Sequence, residues 1–149
     1  MKEKIEKFND VWTRWTPHVL SVLRIMSALL ILQFGLAKIV KFPLSPNFAK
    51  VELLSLTGAA GSLELVLGAL LLVGLYSRVA AFILSGEMAF AYFIAHAGRD
   101  FFPLLNGGTL AALFCFVYFY LAFAGPGPWS VDAMRARGRE PRLRTSPAE

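Results

Sequence analysis

Four long apolar stretches, separated by short polar loops, dominate the pattern of hydrophobic and polar positions along the chain. They cover residues 19–40, 56–76, 79–97 and 105–124. A helix of about 20 mainly apolar residues is long enough to cross the ~30 Å hydrocarbon core of a bilayer. The pattern therefore predicts an all-α protein whose membrane domain is a bundle of four transmembrane helices.

Two segments flank this domain, which we place at residues 19–132. In residues 1–18, charged positions alternate with apolar ones at helical spacing, which predicts an amphipathic helix lying at the membrane surface. Residues 133–149 hold five arginines and few apolar side chains, which predicts a disordered tail held near anionic lipid. The apolar face of the first segment carries four large side chains: Ile5, Phe8, Trp12 and Trp15.

Composition supports a membrane protein and narrows its chemistry. Hydrophobic residues make up 56% of the chain and charged residues 17%, against about 25% charged in an ordinary soluble domain. These values exclude a disordered chain, a disulfide-rich secreted module and a typical cytosolic enzyme. A single cysteine, Cys115, excludes an internal disulfide, and the sequence predicts no metal site.

Lysine and arginine are distributed unevenly over the two sides that four crossings would create. The side that carries both termini has ten of these residues, and the other side has four. The positive-inside rule then predicts that both termini are cytoplasmic. The net charge of +5 thus indicates orientation and lipid contact, and no nucleic-acid partner is predicted.

Four ionisable residues fall inside the apolar stretches, where charges are costly and usually face the interior of a helix bundle. Depths calculated from the helical rise of about 1.5 Å per residue predict two ion pairs. One pairs Arg24 with Glu87, and the other pairs Lys38 with Glu64. Such pairs either form a functional polar site or only fix the register of the helices, and both interpretations stay open.

The chain resembles the DoxX-type membrane proteins over residues 24–132. The segments that carry the resemblance are RIMSALLILQFGLAKI, LELVLGALLLVGLYSRVAA, EMAFAYFIAH and FFPLLNGGTLAALFCFVYFYLAFAGPGPWSVD. The resemblance implies a four-helix protein of a bacterial inner membrane. It also implies an association with terminal oxidase systems, thiosulfate:quinone oxidoreductase systems or oxidative-stress membrane complexes.

The polar residues that match the family pattern form the predicted intramembrane polar site. Family members often have Asn-Gly-Gly-Glu where this chain has Asn106-Gly107-Gly108-Thr109. The missing carboxylate leaves Glu64 and Glu87 as the acids of this site, and the resemblance assigns no catalytic residue. The site comprises Arg24, Lys38, Glu64, Glu87, His96 and Asn106.

These features predict an accessory subunit of a membrane redox system that does not catalyse alone. The polar groups on the outer side could hydrogen-bond a quinone head while phenylalanine and tyrosine rings flank it. The chain has no Rossmann fingerprint and no cysteine cluster, so a redox-enzyme partner would supply the electrons. Two alternatives stay open: a small transporter or channel that needs a homo-oligomer, and a structural assembly factor.

Overall fold

The computed structural model describes residues 2–139, and describes side chains for residues 10–138. The described residues contain helices and no strand, which confirms the all-α prediction. Helix α3 continues as a single π-helical turn over Tyr92–His96. The helices are α1 (Lys2–Ile39), α2 (Leu56–Val73), α3 (Ser77–Ala91), α4 (Pro103–Asn106), α5 (Thr109–Ala124) and α6 (Val131–Arg139).

Within the described part of the chain, three helical segments are long and apolar enough to cross a membrane. They are Asp10–Ile39, Leu56–Val73 and Ser77–His96. Helix α5 is also apolar, but it has 16 residues and is about 24 Å long at 1.5 Å per residue. The chain is therefore a multi-pass membrane protein whose environment is a lipid bilayer.

Helix α1 runs without a break from Lys2 to Ile39, whereas the sequence predicted a separate surface helix before Pro17. A proline inside a helix removes one backbone hydrogen bond. Helix α1 nevertheless continues through Pro17. The position of residues 1–18 at a membrane surface stays a prediction.

Helix α6 also departs from the sequence-based expectation, because disorder was predicted from residue 133 onward. The Ser130 side chain accepts a hydrogen bond from the Ala133 amide at 3.1 Å and so caps the first turn of α6. Asp132 lies in that first turn, where a negative charge is favourable. The predicted disorder therefore does not hold for residues 133–139, and residues 140–149 lie outside the described part of the chain.

The helices pack in two antiparallel pairs, α1 with α2 and α3 with α5, which meet along α2–α3 and α1–α5. The first pair approaches closely where Gly35 lies against Gly61. A Cβ atom on Gly35 would lie 2.9 Å from the Gly61 carbonyl oxygen, so larger residues would push the helices apart. The core between the pairs includes Ile31, Leu84 and Tyr118, which are all almost fully buried.

Asp132 holds the start of α3. Its carboxylate accepts hydrogen bonds from the backbone amides of Tyr76 at 3.0 Å and Ser77 at 2.9 Å. Burial acts to raise the pKa of Asp132, but these hydrogen bonds and the nearby Arg135 charge together hold the pKa below the usual 3.8. The ionised carboxylate therefore stabilises the folded protein.

Replacing Asp132 with asparagine is expected to remove a pH-dependent contribution to stability. A carboxyl group whose pKa falls on folding stabilises the protein above its unfolded-state pKa, and this contribution is lost as the pH falls through the folded-state pKa. The stability advantage of the wild type over Asp132→Asn should therefore shrink below about pH 4. Thermal unfolding in detergent between pH 3 and 7 measures the stability difference between the wild type and Asp132→Asn. Asp10→Asn is the control, because Asp10 is exposed. Parallel pH profiles for the wild type and Asp132→Asn would contradict the prediction.

Candidate functional site

A cavity of about 1140 Å³ lies between α1, α2, α3 and α5. Its walls are mainly apolar, with a few polar side chains converging in it. This combination is the usual form of a small-molecule binding site. The aromatic lining consists of Phe34, Phe48, Phe90 and Phe114, and the ionisable lining consists of Lys38, Glu64, Glu87, His96 and Arg99.

The predicted pair of Lys38 and Glu64 is confirmed. Lys38 Nζ donates to Glu64 Oε1 at 2.6 Å, and the side chains are 11% and 2% exposed respectively. Lys38 Nζ also lies 5.4 Å from the ring centroid of Phe48. The second carboxylate oxygen of Glu64 is buried and has no hydrogen-bond partner among the described residues.

The predicted pair of Arg24 and Glu87 is wrong. Both carboxylate oxygens of Glu87 are buried and have no hydrogen-bond partner in the described part of the chain. Glu87 lies about 15 Å along the helix axis from Ser77, at the start of α3. Arg24 binds at the level of that start, so the depth estimate placed the two side chains too close.

Arg24 is fully buried and joins the end of α2 to the loop after α5. Its guanidinium donates to the carbonyl oxygens of Leu72 at 2.6 Å and Pro126 at 2.8 Å, and also to those of Leu71 and Trp129. The last carbonyl groups of a helix lack helical partners and favour a nearby positive charge. Arg24 is therefore a clamp at the opposite end of the bundle from the cavity.

Asn106 does not line the cavity but organises the loop beside it. Its side-chain oxygen accepts from the Gly108 amide at 2.7 Å, and its amide nitrogen donates to the Asp100 carbonyl at 2.9 Å and the Tyr92 hydroxyl at 3.3 Å. His96 Nδ1 lies 3.1 Å from the Asn106 carbonyl oxygen. Because a carbonyl oxygen can only accept, this contact assigns the proton to Nδ1 and leaves Nε2 as an acceptor in the neutral ring.

The cavity thus gathers four of the six predicted site residues: Lys38, Glu64, Glu87 and His96. Asn106 orients the His96 ring through its backbone carbonyl oxygen. Arg24 belongs to the separate clamp at the other end of the bundle. Sequence reasoning missed the cavity and the presence of Arg99 in its lining. Among the residues that the structure describes, no three histidine, cysteine, aspartate or glutamate side chains gather in a way that could hold a metal ion.

Comparison with known proteins gives two matches that cover much of the chain. The DoxX family model matches residues 19–97, which include all the ionisable residues of the cavity except Arg99. An uncharacterized protein of Haemophilus influenzae is 42% identical over 125 residues, covering 80% of this chain and 92% of that protein. No solved structure matches the chain significantly.

Proposed function

The chain belongs to the DoxX family, and from that premise we propose that it is a non-autonomous subunit of a membrane redox system whose cavity binds a quinone. The observation that carries this proposal is the apolar cavity of about 1140 Å³ with the Lys38–Glu64 pair in its wall. A partner enzyme would supply or accept the electrons.

The chemistry of the cavity suits the head of a quinone, which is a flat ring with carbonyl acceptors at opposite ends. Lys38 has three N–H donors, and the hydrogen bond to Glu64 uses one of them. The ring of Phe48 lies beside the ammonium group and offers an aromatic face for stacking. We therefore assign Lys38 as the donor to one quinone carbonyl, with His96 oriented by Asn106 nearby.

The rim of the cavity suits a ligand that arrives from the membrane. Three apolar side chains on α2, on α3 and on the π-helical turn after α3 line the cavity and are also exposed: Leu63 at 44%, Phe90 at 58% and Ile94 at 57%. Exposed apolar residues on membrane-spanning helices face lipid tails. A quinone with an isoprenoid tail could leave its tail among the lipids and place its head in the cavity.

We further propose that α5 is a fourth membrane crossing. It accompanies α3 along its whole length, so a bilayer that holds one would also hold the other. Four crossings put both termini on one side, and the excess of lysine and arginine there favours the cytoplasmic side of a bacterial inner membrane. Two hydrogen bonds between α3 and α5 support this alignment: Arg78 to the Ala122 carbonyl at 3.0 Å and Ser85 to the Cys115 carbonyl at 2.8 Å.

Gly86 offers a direct test of ligand binding. It lines the cavity, and a Cβ atom built on it has no neighbour within 4 Å. Gly86→Phe is therefore expected to fill part of the cavity without straining the helix. Wild-type protein purified from native membranes should carry co-extracted quinone, measurable by mass spectrometry of the lipid extract, and Gly86→Phe should lose at least nine-tenths of it.

Gly138→Phe is the matched control, because Gly138 lies in α6, outside the cavity lining, and its Cβ position is also free of neighbours. This variant should retain the wild-type quinone content. A wild-type protein that carries no quinone and binds none when it is added would overturn the quinone proposal. Proteins co-purified from the same membranes would identify the redox partner.

A further inference from the structure

Glu87 is a buried ionisable group of the cavity that the proposed function leaves without a role. Both of its oxygens are buried without a hydrogen-bond partner among the described residues. Buried polar groups are nearly always hydrogen-bonded, so an orphaned one calls for an explanation such as a ligand. Because carboxylate oxygens accept hydrogen bonds and attract positive charge, the missing partner is a donor or a cation.

The charges around Glu87 leave a surplus carboxylate in the cavity. Lys38 of α1 is bound to Glu64 of α2, so this pair is neutral overall. His96 lies in the π-helical turn that continues α3, the helix that carries Glu87. The Nδ1 atom of His96 contacts the Asn106 backbone carbonyl oxygen. Arg99 is exposed, which leaves its charge to be screened by solvent.

The fourth helix of the cavity supplies no compensating charge. The lining residues that α5 contributes are Leu110, Ala111 and Phe114. Tyr118 of α5 is fully buried, and its hydroxyl group donates to the Ser27 carbonyl at 2.9 Å. A single negative charge on Glu87 would therefore be uncompensated, and an uncompensated carboxylate in apolar surroundings binds a proton instead.

We propose that the cavity binds lipophilic monovalent organic cations, such as quaternary ammonium or phosphonium ions with apolar substituents, and that Glu87 exchanges its proton for them. The protonated carboxyl group releases its proton to water, and the resulting carboxylate forms an ion pair with the cation. This inference does not rest on quinone binding.

The cavity walls favour this class of ligand over an inorganic ion. An inorganic cation would have to replace a tightly held hydration shell, and two carboxylates, one already bound to lysine, provide too few ligands. A cation surrounded by apolar groups is weakly hydrated and can be covered by the phenylalanine rings. Aromatic rings also attract cations directly, through the negative charge on the ring face, and more strongly where water is excluded.

Tetraphenylphosphonium is a suitable probe because it has a fixed charge and no proton to lose. Its binding to the detergent-solubilised full-length chain can be measured by equilibrium dialysis, corrected for partition into protein-free micelles. We expect one proton released per bound cation at a pH where Glu87 is protonated. The affinity should rise tenfold per pH unit on the acid side and then level off.

Two comparisons distinguish recognition of the positive charge from non-specific hydrophobic binding of the probe. Tetraphenylborate has the same shape and the opposite charge, and it should bind at least tenfold more weakly. Glu87→Gln should lower phosphonium affinity at least tenfold and abolish proton release, whereas Glu52→Gln should change neither, because Glu52 is exposed and lies outside the cavity.

Equal affinity for the two ions, or unchanged phosphonium binding in Glu87→Gln, would overturn the proposal. If Glu87→Gln does not fold, the wild type still decides the question, because a pH-independent affinity contradicts proton exchange. Quinone content is measured separately on the same preparations. Failure of the cation site therefore leaves the quinone proposal standing, and the reverse also holds.

Discussion

Replacing Arg24 with methionine is expected to lower the free energy of unfolding by about 3–5 kcal/mol. The substitution keeps most of the side-chain volume and removes the charged donors that four backbone carbonyl groups share. Hydrogen bonds to a charged group are stronger than neutral ones, and the carbonyl groups left behind are enclosed by protein. The end of α2 and the loop after α5 should therefore separate.

Arg24→Lys should recover little of this loss. A lysine ammonium is a compact point charge, whereas the planar guanidinium reaches carbonyl groups on two separate segments. Arg14→Met is the matched control, because Arg14 is exposed on the same helix. Unfolding in detergent, followed by tryptophan fluorescence, measures all three variants; similar losses for Arg24→Met and Arg14→Met would contradict the clamp.

The Arg24 clamp shows what the sequence could reveal and what it could not. A positive charge in an apolar helix predicts a buried partner, and the structure does bury Arg24. The partners are backbone carbonyl groups, which every residue carries and which leave no trace in a sequence pattern. The search for a partner among acidic side chains therefore selected Glu87 wrongly.

The Lys38–Glu64 pair could be predicted because α1 and α2 are neighbours in the chain and pack closely. Successive membrane crossings run antiparallel, and the contact of Gly35 with Gly61 fixes the register of α1 and α2. The depths of Lys38 and Glu64 along the membrane normal were then sufficient to predict that the two side chains pair. The same depth argument failed for Glu87, which lies on a helix face shared with Ile83, Phe90 and Ile94, toward the cavity.

The cavity itself was beyond prediction from the sequence. Small residues from three different helices contribute to its lining, among them Ala60, Gly86 and Ala111. Each of these residues fits an ordinary packed membrane helix when the sequence is considered alone. Their meeting depends on how the two helix pairs are rotated against each other, which no local pattern specifies.

Replacing Lys38 with methionine is expected to lower the free energy of unfolding by about 3–5 kcal/mol, because it leaves Glu64 as an uncompensated buried charge. Glu64→Met should lower the free energy of unfolding for the same reason, because it leaves the Lys38 ammonium group without its partner. The double variant Lys38→Met/Glu64→Met removes both charges and keeps the packing volume. Its loss should fall below about 1 kcal/mol, because buried ion pairs are often replaced by apolar residues without penalty.

This double-mutant cycle is measured by unfolding in detergent, with the exposed loop residues Lys50 and Glu52 replaced in the same way as a matched control. A double variant as unstable as the sum of the single ones would show that the two charges are not coupled. The stable double variant then decides between the two interpretations of the pair. If it still carries quinone, Lys38 and Glu64 only fix the register of α1 and α2; if it folds normally and has lost quinone, the pair is part of the binding site.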